Sequence, residues 1–257
     1  MNTNSITHFI NDNYTIVYRG EEVDESDLST ANEFLIADNH GSSGHNALNS
    51  LFINTFAEEG DVAMIEAIAS MEEVQAGDAL QSVWLNTKAT VVGWDIGKVG
   101  EVARSSLFQE SGDIEIRNQI LLRQFLDQEF KGNKEEIFKE LVETISKSIE
   151  VYRKIKETGA LKDMEIFLKF WPDRIKSMKS SMDKGKDVYK RTFLIAGQYH
   201  LKNNMEDQRF SLEEFYDFLK GRKVVILFPK NQTVKEMGKE VEKIVMGIQF
   251  KILFGGR

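Results

Sequence analysis

Short apolar runs bounded by polar residues are the feature that most constrains how this chain folds. Glu33–Ala37 (EFLIA), Asp61–Ile65 (DVAMI) and Thr90–Trp94 (TVVGW) are short enough to be strands and carry almost no internal polar residues. Such runs are typical of parallel strands that are buried on both faces. Thr192–Ala196 (TFLIA) and Lys223–Phe228 (KVVILF) have the same character. We therefore predict that these five segments form one mostly parallel sheet.

Segments with helical spacing separate these runs. We predict helices at Ser43–Glu59, at Gly77–Leu85 and at Ser211–Leu219, the last with a serine N-cap and a glutamate three residues on. Alternating strands and helices imply right-handed crossovers, which place helices on both faces of the sheet. The expected fold class is α/β.

A long helical insertion is predicted between the third and fourth of these strands, at about residues 113–190. Asp113–Phe130 and Lys134–Thr158 read as two helices, and Leu161–Tyr189 as a third that is interrupted at Pro172. We expect a single α/β domain over residues 1–257, with the part of the insertion at about 133–190 either packing on the rest or serving as a lid or an arm for a protein partner.

Composition excludes several classes of function. The chain has no cysteine, so it contains no disulfide, no thiolate metal site and no cysteine nucleophile. A net charge of -8 argues against broad attraction to nucleic acid. No stretch approaches the ~20 apolar residues that span a bilayer, and no signal peptide is recognisable. We expect no membrane insertion and a cytoplasmic protein, or one secreted without a cleaved signal peptide.

Polar residues stand at or just beyond the ends of four predicted strands. Ligands of open parallel sheets bind at the carboxyl ends of the strands, so these residues are candidates for one site. They are Asp38, His40 and His45 after the first run, Glu66 after the second, Asp95 after the third and His200 after the fourth.

Histidine and carboxylate side chains at such an edge suit water activation at neutral pH, either directly or through a divalent metal. His40, Glu66 and His200 are the candidate metal ligands. Glu66 is the strongest single candidate, because a buried carboxylate must be paired, metal-bound or neutral. The common phosphate-loop, dinucleotide-loop and GxSxG serine-nucleophile motifs are absent from the sequence.

The ordered set FLIADNHGSSGH, VAMIEA, VVGWD, IEIRNQILL, FLIAGQYHL and KVVILF resembles a known superfamily. It contains erythromycin esterase, the ChaN haem-binding lipoproteins, the TraB/TIKI proteins and a domain of some large bacterial toxins. The resemblance covers roughly residues 32–228.

The resemblance implies roles for individual residues. His40 matches the first motif histidine, Glu66 the strand-end glutamate, Arg117 the helix arginine, and Gly197 with His200 the second GxxH, while Asp95 resembles the Asp of a GxD turn. One departure is that Ala37 and Asp38 stand where the family commonly has Gly and Glu or Thr.

Two classes of function follow from this resemblance. The first is a hydrolase, similar to an esterase or a metalloprotease, acting on a small-molecule or peptide substrate. His40 or His200 would activate water with Glu66 as partner, and Arg117 would stabilise oxyanion charge. The alternative is a non-catalytic module that binds metal or haem, or a bacterial toxin-like effector domain. Tyr199 beside His200 is the candidate haem-ligand pair.

Overall fold

The computed structural model describes residues 3–39, 42–75, 77–96, 106–158, 170–201 and 212–254 of the 257. Six strands form one sheet in the order β1-β6-β2-β5-β3-β4. The strands are β1 (Tyr14–Arg19), β2 (Glu33–Asp38), β3 (Val62–Ala69), β4 (Thr90–Asp95), β5 (Thr192–Gly197) and β6 (Val224–Pro229). The α-helices are α1 (Thr3–Asn13), α2 (Ser43–Phe56), α3 (Ser106–Leu126), α4 (Lys134–Thr158), α5 (Trp171–Val188), α6 (Glu213–Leu219) and α7 (Asn231–Phe254).

The sheet is mostly parallel, as the sequence predicts. β6, β2, β5, β3 and β4 run in the same direction, so all five predicted strands share the sheet. The chain passes from β2 to β3 and on to β4 at one edge, and then returns to place β5 between β2 and β3. β1 is not among the predicted strands, and it pairs antiparallel with β6 at one edge.

Helices cover both faces of the sheet, and strand alternation divides the apolar side chains between them. One face carries Phe34, Ile36 and Phe193 and packs against α1 and α2. The other carries Leu35 and Leu194 and packs against α5 and α6. The α/β class is therefore confirmed.

The predicted insertion packs in two different places. α5 lies on the sheet, whereas α3 and α4 pack against each other and against α7 in a separate apolar cluster that includes Leu121, Ile145 and Val241. α7, which the sequence analysis did not identify, joins this layer to the sheet by packing on α2. Gly44 lies at that crossing, where a Cβ atom would meet the Val234 carbonyl oxygen at 2.4 Å.

Of the six predicted helices, Lys134–Thr158 has the predicted bounds and the other five differ. α2 ends at Phe56 rather than Glu59, and α3 spans Ser106–Leu126 rather than Asp113–Phe130. The only helical turn in the described part of 77–85 is the 3-10 turn Leu80–Ser82. α6 begins at Glu213 with Leu212 as N-cap and no side-chain cap; Ser211 lies outside the described residues. α5 begins at Trp171 with Pro172 in its first turn, where proline is tolerated because the amide there has no helical partner.

Within the described ranges, no helix combines the length and the apolar character that crossing a bilayer requires.

Close packing of α2 on α7 predicts that Gly44→Ala destabilises the protein. The added methyl group would overlap the Val234 carbonyl, so either the helices separate or the backbone shifts. We expect the free energy of unfolding to fall by about 1–3 kcal/mol. The control is Gly247→Ala on α7, where a Cβ meets nothing within 4 Å. Its melting temperature should stay equal or rise, and equal losses in both variants would contradict the packing argument.

Candidate functional site

The carboxyl ends of β3, β4 and β5 bring together the residues of the candidate site. Glu66 follows Ile65, the last residue of β3 in regular register with β4. Ile65 pairs with Gly93 and Ala69 pairs with Asp95, so β3 uses more residues than β4 over this stretch. The β3 backbone therefore bulges beside Glu66. β3 thus continues past the predicted strand end, and the bulge gives Glu66 and Asp95 room for a shared partner.

Arg174 of α5 is that partner. Its Nε donates to Asp95 Oδ1 at 3.0 Å and its Nη2 donates to Asp95 Oδ2 at 2.6 Å. The same Nη2 donates to Glu66 Oε1. All three residues are buried. Burial acts to lower the pKa of Arg174, but the charges and hydrogen bonds of Glu66 and Asp95 outweigh it, so the pKa is raised and the guanidinium stays charged.

His200 shares Glu66 with this arginine. Its Nε2 lies 3.3 Å from Glu66 Oε1. The imidazole stacks on Trp171, with ring centroids 4.3 Å apart, and meets Trp94 edge-on at 5.3 Å. His200 is 3% exposed, and its Nδ1 has no hydrogen-bond partner within the described part of the chain. One ring nitrogen thus lies beside a carboxylate, and the other is buried without a partner among the described residues.

The described residues of this cluster do not fit a metal ion. Glu66 Oε1 already accepts from Arg174, and Glu66 Oε2 accepts from the Gly197 amide at 2.7 Å. Asp95 Oδ1 accepts from the Ile96 amide as well as from Arg174. The guanidinium therefore stands where a cation would neutralise these carboxylates. Among the described residues, no group of three His, Asp or Glu side chains could hold a metal ion.

Asp38 and His45 form a second group, on the other face of the sheet. Asp38 follows Phe34 and Ile36 at every second position of β2, so its side chain lies on the same face as theirs, toward α1 and α2. It is 1% exposed. Its charge acts on His45 and also on Tyr14, whose pKa is raised well above its ordinary value, first by burial and then by Asp38. Asn49 connects the group by donating to the Ala37 carbonyl at 3.1 Å.

Arg117, the arginine matched by the resemblance, does not join this cluster. It lies in the middle of α3, is 46% exposed as a side chain and pairs with Glu140 of α4. α3 packs in the outer helical layer, so Arg117 lies away from the strand-end carboxylates. Arg174, not Arg117, is the arginine that contacts the strand-end carboxylates. Its signal in the sequence is its helical spacing with Trp171 and Met178, which marks an arginine on an apolar stripe.

Two residues of the predicted site remain, His40 and Tyr199. His40 lies outside the described residues. Tyr199 is 61% exposed, directly before the buried His200. Glu66, Asp95 and His200 therefore converge as expected, and Arg174, Trp171 and Trp94 complete their surroundings.

No family model matches this sequence, and neither a curated protein nor a solved structure matches it.

The buried network predicts a large cost for Arg174→Met. The substitution would leave two buried carboxylates without their cation, and we expect the free energy of unfolding to fall by about 3–5 kcal/mol. The same substitution at the exposed Arg117 should cost no more than about 1 kcal/mol. Denaturant unfolding of both variants measures the difference, and similar costs would argue against a special role for Arg174.

Burial of His45 predicts a pH-dependent stability. Burial lowers the pKa of His45 below its ordinary value, while Asp38 and the Ala37 backbone act in the opposite direction. The folded protein therefore binds this proton less readily than the unfolded chain, so stability falls as pH drops below about 6.5 toward the folded pKa. Melting temperatures against pH should show a shallower fall in His45→Gln than in the wild type. An unchanged slope would contradict the assignment.

Proposed function

We propose that the protein is a hydrolase of esters or amides in which His200, oriented by Glu66, is the general base. The observation that carries the proposal is the His200–Glu66 contact of 3.3 Å together with a buried Nδ1 that has no partner in the described chain. A carboxylate that accepts from one imidazole nitrogen fixes the tautomer, so that the other nitrogen presents a lone pair.

The chemistry at this histidine needs only the protein's own groups. His200 Nδ1 takes a proton from a water molecule as that water attacks the substrate carbonyl carbon, and the proton then passes to the leaving group as the bond to it breaks. Glu66 stabilises the imidazolium that forms in between. No step uses a metal ion.

Arg174 acts as a positioning residue in this mechanism. It touches the two carboxylates and holds Glu66 so that its Oε1 also reaches His200. Its positive charge lies between the two buried carboxylates and compensates them. The two tryptophans beside the imidazole limit its rotation and exclude water from most of its surface.

The resemblance to the erythromycin esterase and TraB/TIKI superfamily supports the hydrolase proposal, because it matches Glu66 and His200 to its motif positions. The substrate is a small molecule or a peptide, and Tyr199, exposed next to His200, lies at the surface that a substrate would approach.

A second candidate is a non-catalytic binding or effector module that retains the fold. The observation that favours it is the extent to which Glu66 and Asp95 are engaged by protein donors, an arrangement that also stabilises a sheet edge. The Ala37–Asp38 departure from the family motif points the same way. Haem titration followed by a Soret shift tests the haem-binding form of this module.

The decisive experiment uses Glu66→Gln in a panel of ester and peptide substrates. The amide cannot stabilise the imidazolium, so we expect kcat to fall by about 10²–10⁴-fold with little change in KM. His200→Asn should fall at least as far.

The matched control is Glu33→Gln. Glu33 is also buried and also pairs with an arginine, Arg222. It is the first residue of β2, so it lies at the opposite edge of the sheet from Glu66. It should lose stability and keep its activity per folded molecule. Equal activity losses in Glu33→Gln and Glu66→Gln would mean that the loss comes from lower stability and not from catalysis. A wild type that is inactive on every substrate would contradict the hydrolase proposal and favour the binding module.

A further inference from the structure

A cavity of about 250 Å³ lies between the start of α2 and the helices α3, α4 and α7. None of its lining residues belongs to the cluster around Glu66, Arg174 and His200. It therefore constitutes a separate candidate site in the outer helical layer.

The cavity carries negative charge. Glu115 and Glu242 are its charged lining residues, and no Lys, Arg or His side chain of the described residues lines it. The first turn of α2 also lies here and contributes roughly half a positive charge, which is less than the two carboxylates supply. An anion is therefore disfavoured, and a cation is attracted.

A buried acceptor at the cavity has no donor. Asn118 lines the cavity and is 6% exposed, and its Oδ1 has no hydrogen-bond partner in the described chain. The neighbouring Gln119 is engaged instead, because its Nε2 donates to Glu115 and its Oε1 accepts from Trp84. A buried acceptor without a donor costs free energy, so a ligand that donates hydrogen bonds would be bound more tightly here.

Part of the remaining wall is apolar, and Ser42, Ser43, Ser148 and Gln249 add further polar groups. Leu122, Ile145 and Val245 line the cavity, and the first two are almost completely buried. A ligand that suits both parts of the wall has a cationic donor at one end and a hydrocarbon stem.

We propose that this cavity binds a primary alkylammonium group, as found in small diamines and polyamines. The ammonium group donates to Asn118 and is attracted by Glu115 and Glu242, and the alkyl stem packs against Leu122 and Ile145. The site is independent of the proposed hydrolase activity.

Isothermal titration calorimetry of the full chain with butylammonium, diaminobutane and butanol tests the ligand class. We expect the two amines to bind and butanol, which lacks the charge, to bind at least about tenfold more weakly. Equal binding of butanol, or no binding of either amine, would overturn the proposal.

Two variants locate the binding. Asn118→Leu removes the acceptor at similar volume, and Glu242→Gln removes one charge at an exposed position. Each should weaken diaminobutane binding by roughly tenfold. The matched control, Glu240→Gln, changes an exposed glutamate of the same helix that does not line the cavity, and should bind as the wild type does. Unchanged affinity in Glu242→Gln would overturn the proposal, even if Asn118→Leu did not fold.

Fluorescence gives an independent location. Trp84 contacts the cavity through Gln119, whereas Trp94 and Trp171 surround His200. Diaminobutane should change the emission of the wild type and leave that of Trp84→Phe unchanged. A change that persists in Trp84→Phe would place binding elsewhere and would contradict the proposal.

Discussion

The guanidinium of Arg174 is held between two carboxylates that come from neighbouring strands, and the rest of the sheet edge is arranged around this contact. Glu66 and Asp95 are both buried, so each requires a cation or a proton. The chain supplies the cation from α5, far along the sequence. This choice fixes how α5 lies over the sheet, because Ser177, one turn on, donates to the Trp94 carbonyl at 2.9 Å.

The position of α5 in turn determines the surroundings of His200. Trp171 precedes Arg174 by one turn of the same helix, so the docking that satisfies the carboxylates also lays an indole on the imidazole. The imidazole then meets Glu66 on one side and keeps one nitrogen available. The chemical role proposed for Glu66 thus falls on a residue that also has a structural role, which is why a stability control is needed to interpret any variant of it.

The opposite end of the sheet also has arginine–carboxylate pairs, and no histidine of the described residues lies beside them. Arg222 donates to both oxygens of Glu33 and to Asp183, and Arg191 donates to Asp61. Buried arginine–carboxylate pairs therefore join helices and loops to strands at both ends of this sheet. What distinguishes the carboxyl edge is the addition of His200 and two tryptophans to such a pair, and this addition is the reason for assigning chemistry to that edge.

The sequence by itself determined the five parallel strands and the polar residues at their ends, because short apolar runs and a period of two are local properties of the chain. It did not reveal that Asp38 faces α2 while Glu66 faces α5, since the face of each residue depends on how the strands are registered. Nor did it distinguish Arg117 from Arg174. Both lie on helices near apolar residues, and only the tertiary structure decided which helix docks on the sheet. The physical reason is that a buried carboxylate selects its cation by proximity in space, and proximity between β3 and α5 follows from packing rather than from spacing along the chain.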